Sequence, residues 1–272
     1  MTKSPLAAPL PWNLVAPAYA DELVPTFEKF ATEALRIVAP AAGSRVIDVA
    51  CGPGTLSVLA AQRGCTADAI DFSEVMIARL SARLASLGLS AVRPQLADGQ
   101  ALPFPDASFD AGFSMFGLMF FPDRAKGFAE LRRVLRPGAK ALVASWHPMD
   151  EIPLFAAMFG AIRDAMAQAT GAPPPPPVPG SLTSVEACRD EMAAAFADVE
   201  VHAFAVTEEA PTADALWENF TRTMAPIVLM KQNLGDKFAA IDEAARNAVR
   251  GVVGSGPARV TMTAHLTAGT AR

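Results

Sequence analysis

Apolar positions at Leu23, Phe27, Phe30, Ala34 and Ile37 recur at helical spacing and predict an amphipathic helix over 21–38, closed by Pro40 and Gly43. The twenty residues before it are rich in Pro and Ala and read as extended or irregular. From residue 45 the pattern changes. The run Arg45 to Ala50 (RVIDVA) has the β-branched character of a buried strand, and similar runs follow at 66–71, 91–97, 109–115 and 139–146. Helical patterns fill the gaps. One opens at Thr55 and runs to about Arg63. A second starts at a capping Ser73 and shares Met76, Leu80, Leu84 and Leu87 on one face. A third covers 123–135, with Phe128, Leu131 and Leu135 inward, and stops at Arg136-Pro137-Gly138.

Strands alternating with helices at this spacing predict βαβ units and a parallel sheet covered on both faces. The regular alternation holds from about 43 to 147 and then breaks. Residues 150–182 read as an apolar helix followed by Pro173 to Pro177, a run expected to be polyproline II and most simply a surface connector. A helix at 183–195 and a strand at 199–206 resume the pattern. Residues 213–250 read as helical and apolar, and 258–269 alternate as a last strand would. The expected fold is therefore α/β: a Rossmann-like, doubly wound, mostly parallel seven-stranded sheet with helices on both faces and a helical cap insertion. Four segments follow: 1–42, an N-terminal segment and helix; 43–148, the core; 149–182, the cap insertion with its Pro-rich linker; and 183–272, the rest of the sheet with further cap helices at 213–250.

Composition narrows the function classes. Over 272 residues, 51% are hydrophobic and 19% charged, enough for a large core and against global disorder. The net charge of −5 and the lack of any Lys/Arg block leave no basic footprint for nucleic acid. Cys51, Cys65 and Cys188 are odd in number and form no CxxC pair, which reads as reduced thiols in a cytoplasmic chain, and the scattered His147, His202 and His265 give no metal signal. A faint secretion-signal pattern, Lys3, Leu6 to Leu10 and Ala18-Tyr19-Ala20, is interrupted by Pro5, Pro9, Pro11, Asn13 and Pro17. No uninterrupted apolar run is long enough for a membrane span.

The chemistry concentrates in Val46-Ile47-Asp48-Val49-Ala50-Cys51-Gly52-Pro53-Gly54. A strand must turn sharply into a helix here, and glycine allows both the turn and the approach of a ligand to the backbone. The helix N-terminus then presents free N–H groups to a carboxylate or phosphate. The dinucleotide pattern GxGxxG is not met, because Ser57 fills the third glycine's place and the acidic residue, Asp48, precedes the loop. That spacing resembles motif I of class I S-adenosylmethionine (SAM)-dependent methyltransferases, D-x-G-C-G-x-G. Further residues keep register. Asp71 ends the second strand, where a carboxylate can accept from ribose hydroxyls. Asp98 follows the third strand in ADGQALPF, Phe109-Asp110 opens the fourth, and Leu135-Arg136-Pro137-Gly138 precedes the fifth. The ordered set, over roughly residues 12–147, is similar to the methyltransferase type 11 group, which includes ubiquinone and menaquinone C-methyltransferases.

The resemblance implies SAM as cofactor. Asp48, Ala50, Gly52 and Gly54 would hold its methionine part, Asp71 its ribose, and Asp98 and Gly99 its adenine, with Phe72 also among the cofactor-binding residues. Ser114 to Phe116 would face the sulfonium. Trp12, Asn13 and Tyr19 are similar to an N-terminal segment, W-[DN]-x5-Y, that folds over the cofactor in this group. Ala50 stands where the group more often has a glycine, a minor departure as long as its φ is negative. Methyl transfer needs chiefly an in-line arrangement and exclusion of water, with a base where the nucleophile must lose a proton. His147, after the fifth strand at the ligand-binding edge, is the candidate base. Phe116, Met119, Phe120, Phe155, Met158, Phe159, Phe220 and Met224 are the candidate lining for a small, hydrophobic or aromatic methyl acceptor undergoing O-, N- or C-methylation. The expected partners are that acceptor alone, with no metal and no nucleic acid, in a monomer or homodimer. A nicotinamide-dependent Rossmann oxidoreductase and a non-catalytic SAM-binding module are the competing readings.

Overall fold

The computed structural model describes residues 4–171 and 182–272. Seven strands form one sheet: β1 (Arg45–Val49), β2 (Thr66–Asp71), β3 (Val92–Leu96), β4 (Phe109–Met115), β5 (Leu135–Trp146), β6 (Phe196–Ala210) and β7 (Ala258–Ala271), in the order β3-β2-β1-β4-β5-β7-β6. The first five run parallel, and β7 runs antiparallel to both β5 and β6. Period-two alternation explains the central strands. Val46 packs into the apolar cluster on one face, while Ile47 and Val49 pack into the cluster on the other. Leu142 and Ala144 of β5 repeat this against Ala141 and Val143. With both faces covered, these strands read as unbroken apolar runs.

One face carries α2 (Val24–Val38) and α3 (Thr55–Gln62), through Phe30, Ala34 and Leu56, and Leu80 of α4 (Glu74–Leu87). The other carries α5 (Arg124–Val134) and α7 (Val185–Ala193), through Phe128, Leu131 and Met192. The break in the sequence pattern after residue 147 is the start of a cap. Helices α6 (Pro153–Thr170), α8 (Ala213–Thr223), α9 (Ala225–Leu234) and α10 (Phe238–Val253) share a separate apolar cluster around Phe155, Trp217, Phe220 and Ile241. Three helices replace the single stretch expected at 213–250. Pro226 is accepted only in the first turn of a helix, so α8 cannot run through it and α9 opens there, and Gly235, at φ +53°, ends α9.

The N-terminus departs most from expectation. Residues 9–18 are helical (α1, Pro9–Ala18), followed by a π-helical turn at Tyr19–Leu23 that leads into α2. Pro9 and Pro11 lie in the first turn of α1, where the backbone N–H groups have no ladder partner to lose. Pro17 does sit inside the helix, and the widened turn follows it directly. Strand β5 also begins earlier than expected, since Leu135 pairs with Phe109 before the register shifts at Ala111. The proline run at 173–177 lies outside the described residues. Among those described, no helix is long and apolar enough to cross a membrane, and no group of His, Cys, Asp and Glu side chains could hold a metal ion.

Candidate functional site

The C-terminal ends of β1, β2 and β4 open into a cavity of about 390 Å³. Its floor is the strand-to-helix loop after β1. Gly52 (φ +54°) and Gly54 (φ +76°) take left-handed conformations that turn the chain into α3. Gly52 lines the cavity. Gly54 does not, because a Cβ there would come within 2.2 Å of Leu80, so this glycine serves the packing of α4. The Gly52 N–H donates to Asp71 Oδ2 (2.8 Å), which ties the loop to the end of β2.

Three carboxylates reach this cavity from adjacent strand ends, and each is held differently. Asp48 is 1% exposed. Its Oδ2 accepts from the Ser57 hydroxyl (2.7 Å), while Oδ1 is buried without a partner. Burial pushes its carboxyl up to about 7, the Ser57 contacts oppose the rise, and the charge of Asp71 adds to it. Asp71 accepts from the N–H groups of Gly52 and Ser73, and burial still holds its pKa above the ordinary carboxylate value. Asp98 is exposed, and its Oδ1 accepts from the Gln100 N–H (2.8 Å). The Asp98 loop is clamped from α5. Glu130 accepts from the Leu102 N–H, while Arg133 donates to the carbonyls of Leu102 and Phe104. Gly99 leaves no room for a side chain, since a Cβ would lie 2.5 Å from Phe121 and 2.8 Å from Val49.

The N-terminal segment forms the roof. Trp12 and Tyr19 line the cavity, and Asn13 Oδ1 accepts from the hydroxyl of Ser73, the residue that caps α4. Burial and the charge of Asp71 push the Tyr19 phenol well above its usual range. The roof is fastened to the cap at Glu22, whose carboxylate accepts from Arg222 (2.9 Å) and Asn219 (2.7 Å) of α8.

A second cavity of about 1080 Å³ lies between this roof, the end of β5 and the cap helices. Trp12, Tyr19, Phe27, Phe116 and Phe120 line both cavities. The partition is aromatic. The Phe116 ring stacks on Trp146 at 4.0 Å and meets Phe27 edge-on at 5.2 Å. Phe27 and Trp146 carry no sequence signal of a site: one is a position in an amphipathic stripe and the other the last residue of a strand. Met119, Phe155, Phe159, Phe220 and Met224 also face the second cavity. Met158 does not. It is fully buried among the cap helices, on the side of α6 turned into their core.

His147 lines the second cavity, its Nδ1 3.6 Å from Glu151 and its ring 5.1 Å from that of His265. His265 is buried, and its Nε2 lies 2.9 Å from the Thr183 carbonyl. A carbonyl only accepts, so that nitrogen carries the proton. Of the expected cofactor residues, Asp48, Ala50, Gly52, Asp71, Phe72, Asp98, Gly99 and Tyr19 meet at the first cavity. Ser114 does not reach it. Its side chain is fully buried, with Oγ accepting from the Leu118 N–H (3.1 Å), so it braces the turn after β4. Ala50 is a second correction. Its φ is +58°, the left-handed region that favours glycine, so its replacement of glycine is not minor.

Residues 46–138 match the family described as methyltransferase domain. The demethylmenaquinone methyltransferase of Clavibacter sepedonicus is 43% identical over 111 residues, 41% of this chain and 44% of that protein. This chain spans less than half the length of the curated relatives it matches. Among solved structures, a putative methyltransferase from Bacillus halodurans superposes with a TM-score of 0.58 at 18% identity, covering 88% of this chain and 97% of that one. The cyclase SpnF superposes with a TM-score of 0.54 at 19% identity, covering 89% and 80%. Residues 46–138 thus match a methyltransferase domain, and the chain shares its fold with a protein titled a putative methyltransferase and with one titled a cyclase.

Proposed function

We propose that this chain moves a methyl group from SAM to a small, neutral, hydrophobic or aromatic acceptor held in the second cavity. The observation that carries the reading is Asp48 Oδ1, a buried acceptor without a partner beneath the first cavity. An ammonium-bearing ligand supplies what this oxygen lacks, since a buried acceptor is costly until it is hydrogen-bonded. The remaining donor set fits the rest of SAM. The glycine loop and Asp48 would hold the amino-acid part, Asp71 with Phe72 the ribose, and Asp98 with Gly99 the adenine. SAM supplies a methyl carbon already activated by sulfonium charge and leaves as neutral S-adenosylhomocysteine.

The protein's own part is to orient and to exclude water. The roof from Trp12 to Tyr19 closes over both cavities, the cap closes over the second, and the Phe116 wall sets where the acceptor meets the cofactor side. Charges lining the second cavity are largely matched: Glu22 with Arg222, Glu208 with Lys29, and Glu209 with Arg259. That balance favours an uncharged acceptor. Where the acceptor's nucleophile is a hydroxyl, its proton passes to a ring nitrogen of His147.

Calorimetry with SAM, S-adenosylhomocysteine and NADH tests the cofactor, and mass spectrometry of a metabolite mixture incubated with methyl-labelled SAM tests the transfer. Heat with NADH and none with the two adenosyl ligands would refute the proposal in favour of an oxidoreductase. SAM binding without any labelled product would leave a non-catalytic SAM-binding module.

A further inference from the structure

We infer that Ala50 and Gly117 form a size-matched pair, in which Gly117 is a positioning residue that keeps the cofactor loop at its working distance from the Phe116 partition. This rests on the reading of the first cavity as the SAM site. Strands β1 and β4 are paired in register only as far as Asp48 and Phe113. Beyond that point both chains bend out of the sheet through left-handed residues, Ala50 at φ +58° and Phe116 at φ +60°. The next residue after Phe116 is Gly117, and it comes back against Ala50. A Cβ on Gly117 would lie 2.3 Å from the Ala50 Cβ, far inside contact distance, whereas its next neighbours, the Ala50 carbonyl and Ser114 Oγ, stand at 3.4 Å.

The backbone of Gly117 does not itself require glycine. Its φ of −104° and ψ of −51° are open to any residue. Only the Ala50 methyl excludes a side chain there. That methyl is in turn held in a conformation disfavoured for alanine, so the two residues fit as one unit: the larger residue stands on the loop and the smaller on the β4 side. Ala50 and Gly117 both line the first cavity, and Phe116 lines both cavities and stacks on Trp146. A methyl added at residue 117 has to displace either the cofactor loop or the Phe116 wall.

The test is a double-mutant cycle over A50G, G117A and A50G/G117A, with S-adenosylhomocysteine binding measured by calorimetry and melting followed in parallel. G117A is expected to raise the Kd at least tenfold relative to wild type. In the A50G background the same substitution is expected to change it less than threefold, because the obstructing methyl is gone. Equal losses in both backgrounds overturn the pairing. So does a fall in Tm with an unchanged Kd, which is all that mere packing would produce. Should G117A not fold, A50G against A50G/G117A decides: a gap under threefold supports the pair, and a tenfold gap overturns it. Failure of the underlying SAM reading shows separately, as no heat from the wild-type chain itself.

Discussion

Replacing Asp48 by Asn should stabilise the ligand-free protein above neutral pH and weaken SAM binding over the same range. Asp48 is buried, one oxygen bonded to Ser57 and the other unpartnered. Burial raises its carboxyl from 3.8 to about 7. At 1.36 kcal/mol per pKa unit, ionising it in the ligand-free protein costs about 4 kcal/mol more than in water, a ceiling on the effect. The folded chain keeps this proton up to about pH 7, while the unfolded chain releases it near pH 4. The folded state binds more protons between those values, so wild-type stability falls as pH climbs through the window and levels off above it. D48N retains an oxygen for the Ser57 hydroxyl but cannot ionise. Urea melts should therefore show the D48N-minus-wild-type difference growing by about 2–4 kcal/mol between pH 4.5 and pH 8. Binding runs the other way. An ammonium ligand favours the carboxylate, so wild-type affinity for SAM should rise toward pH 7 by up to about tenfold per pH unit and then level off, while D48N stays weak and flat. A stability difference independent of pH, or a D48N binding profile parallel to wild type, would refute the reasoning.

Phe220→Ala should raise the acceptor KM with the SAM Kd unchanged in calorimetry, since Phe220 faces only the second cavity. Met158→Ala should instead cost about 2–5 kcal/mol in denaturant melts, as its side chain is fully buried in the cap. His147→Asn should lower kcat/KM by about 10²–10⁴-fold for a hydroxyl acceptor, with equal SAM affinity; steady-state kinetics with and without an ionised acceptor would read it. Glu22→Gln weakens the tie between roof and cap, so stopped-flow SAM release should quicken several-fold. The half-exposed Arg222 pair contributes only about 0.2–1 kcal/mol to stability, so Tm should hardly move.

The strand–loop–helix around Asp48 was legible because local chemistry decides it: a β-branched run, two glycines and a helix start leave few geometries. Asp71 and Asp98 were legible for the same reason, each lying at the end of a readable strand. What escaped was orientation. Gly54, Ser114 and Met158 sit in the right elements, yet one serves packing against Leu80, one braces Leu118 and one faces the cap's core. Periodicity assigns a side chain to a face or an end but does not say whether a cavity or a neighbour meets it there. The N-terminal helices escaped because a proline is harmless in a first turn and disruptive two turns later, and only a known starting point tells these apart.

The same limit applies to Ala50, and there it exposes the site's construction. From sequence, alanine in a glycine loop is a mild exchange. In the fold it occupies a left-handed conformation beside a second strained residue, Phe116, at the ends of two paired central strands. Such conformations persist only where the surroundings over-determine them. Here the determinants are the largely buried β1 and β4 beneath, the Gly117 contact between the two turns, and the Trp146 stack behind. Of the six left-handed non-glycine residues among those described, two thus stand at the first cavity, one on the loop and one in the wall that the two cavities share. A flat, relaxed continuation of either strand would carry Phe116 or the loop out of that wall.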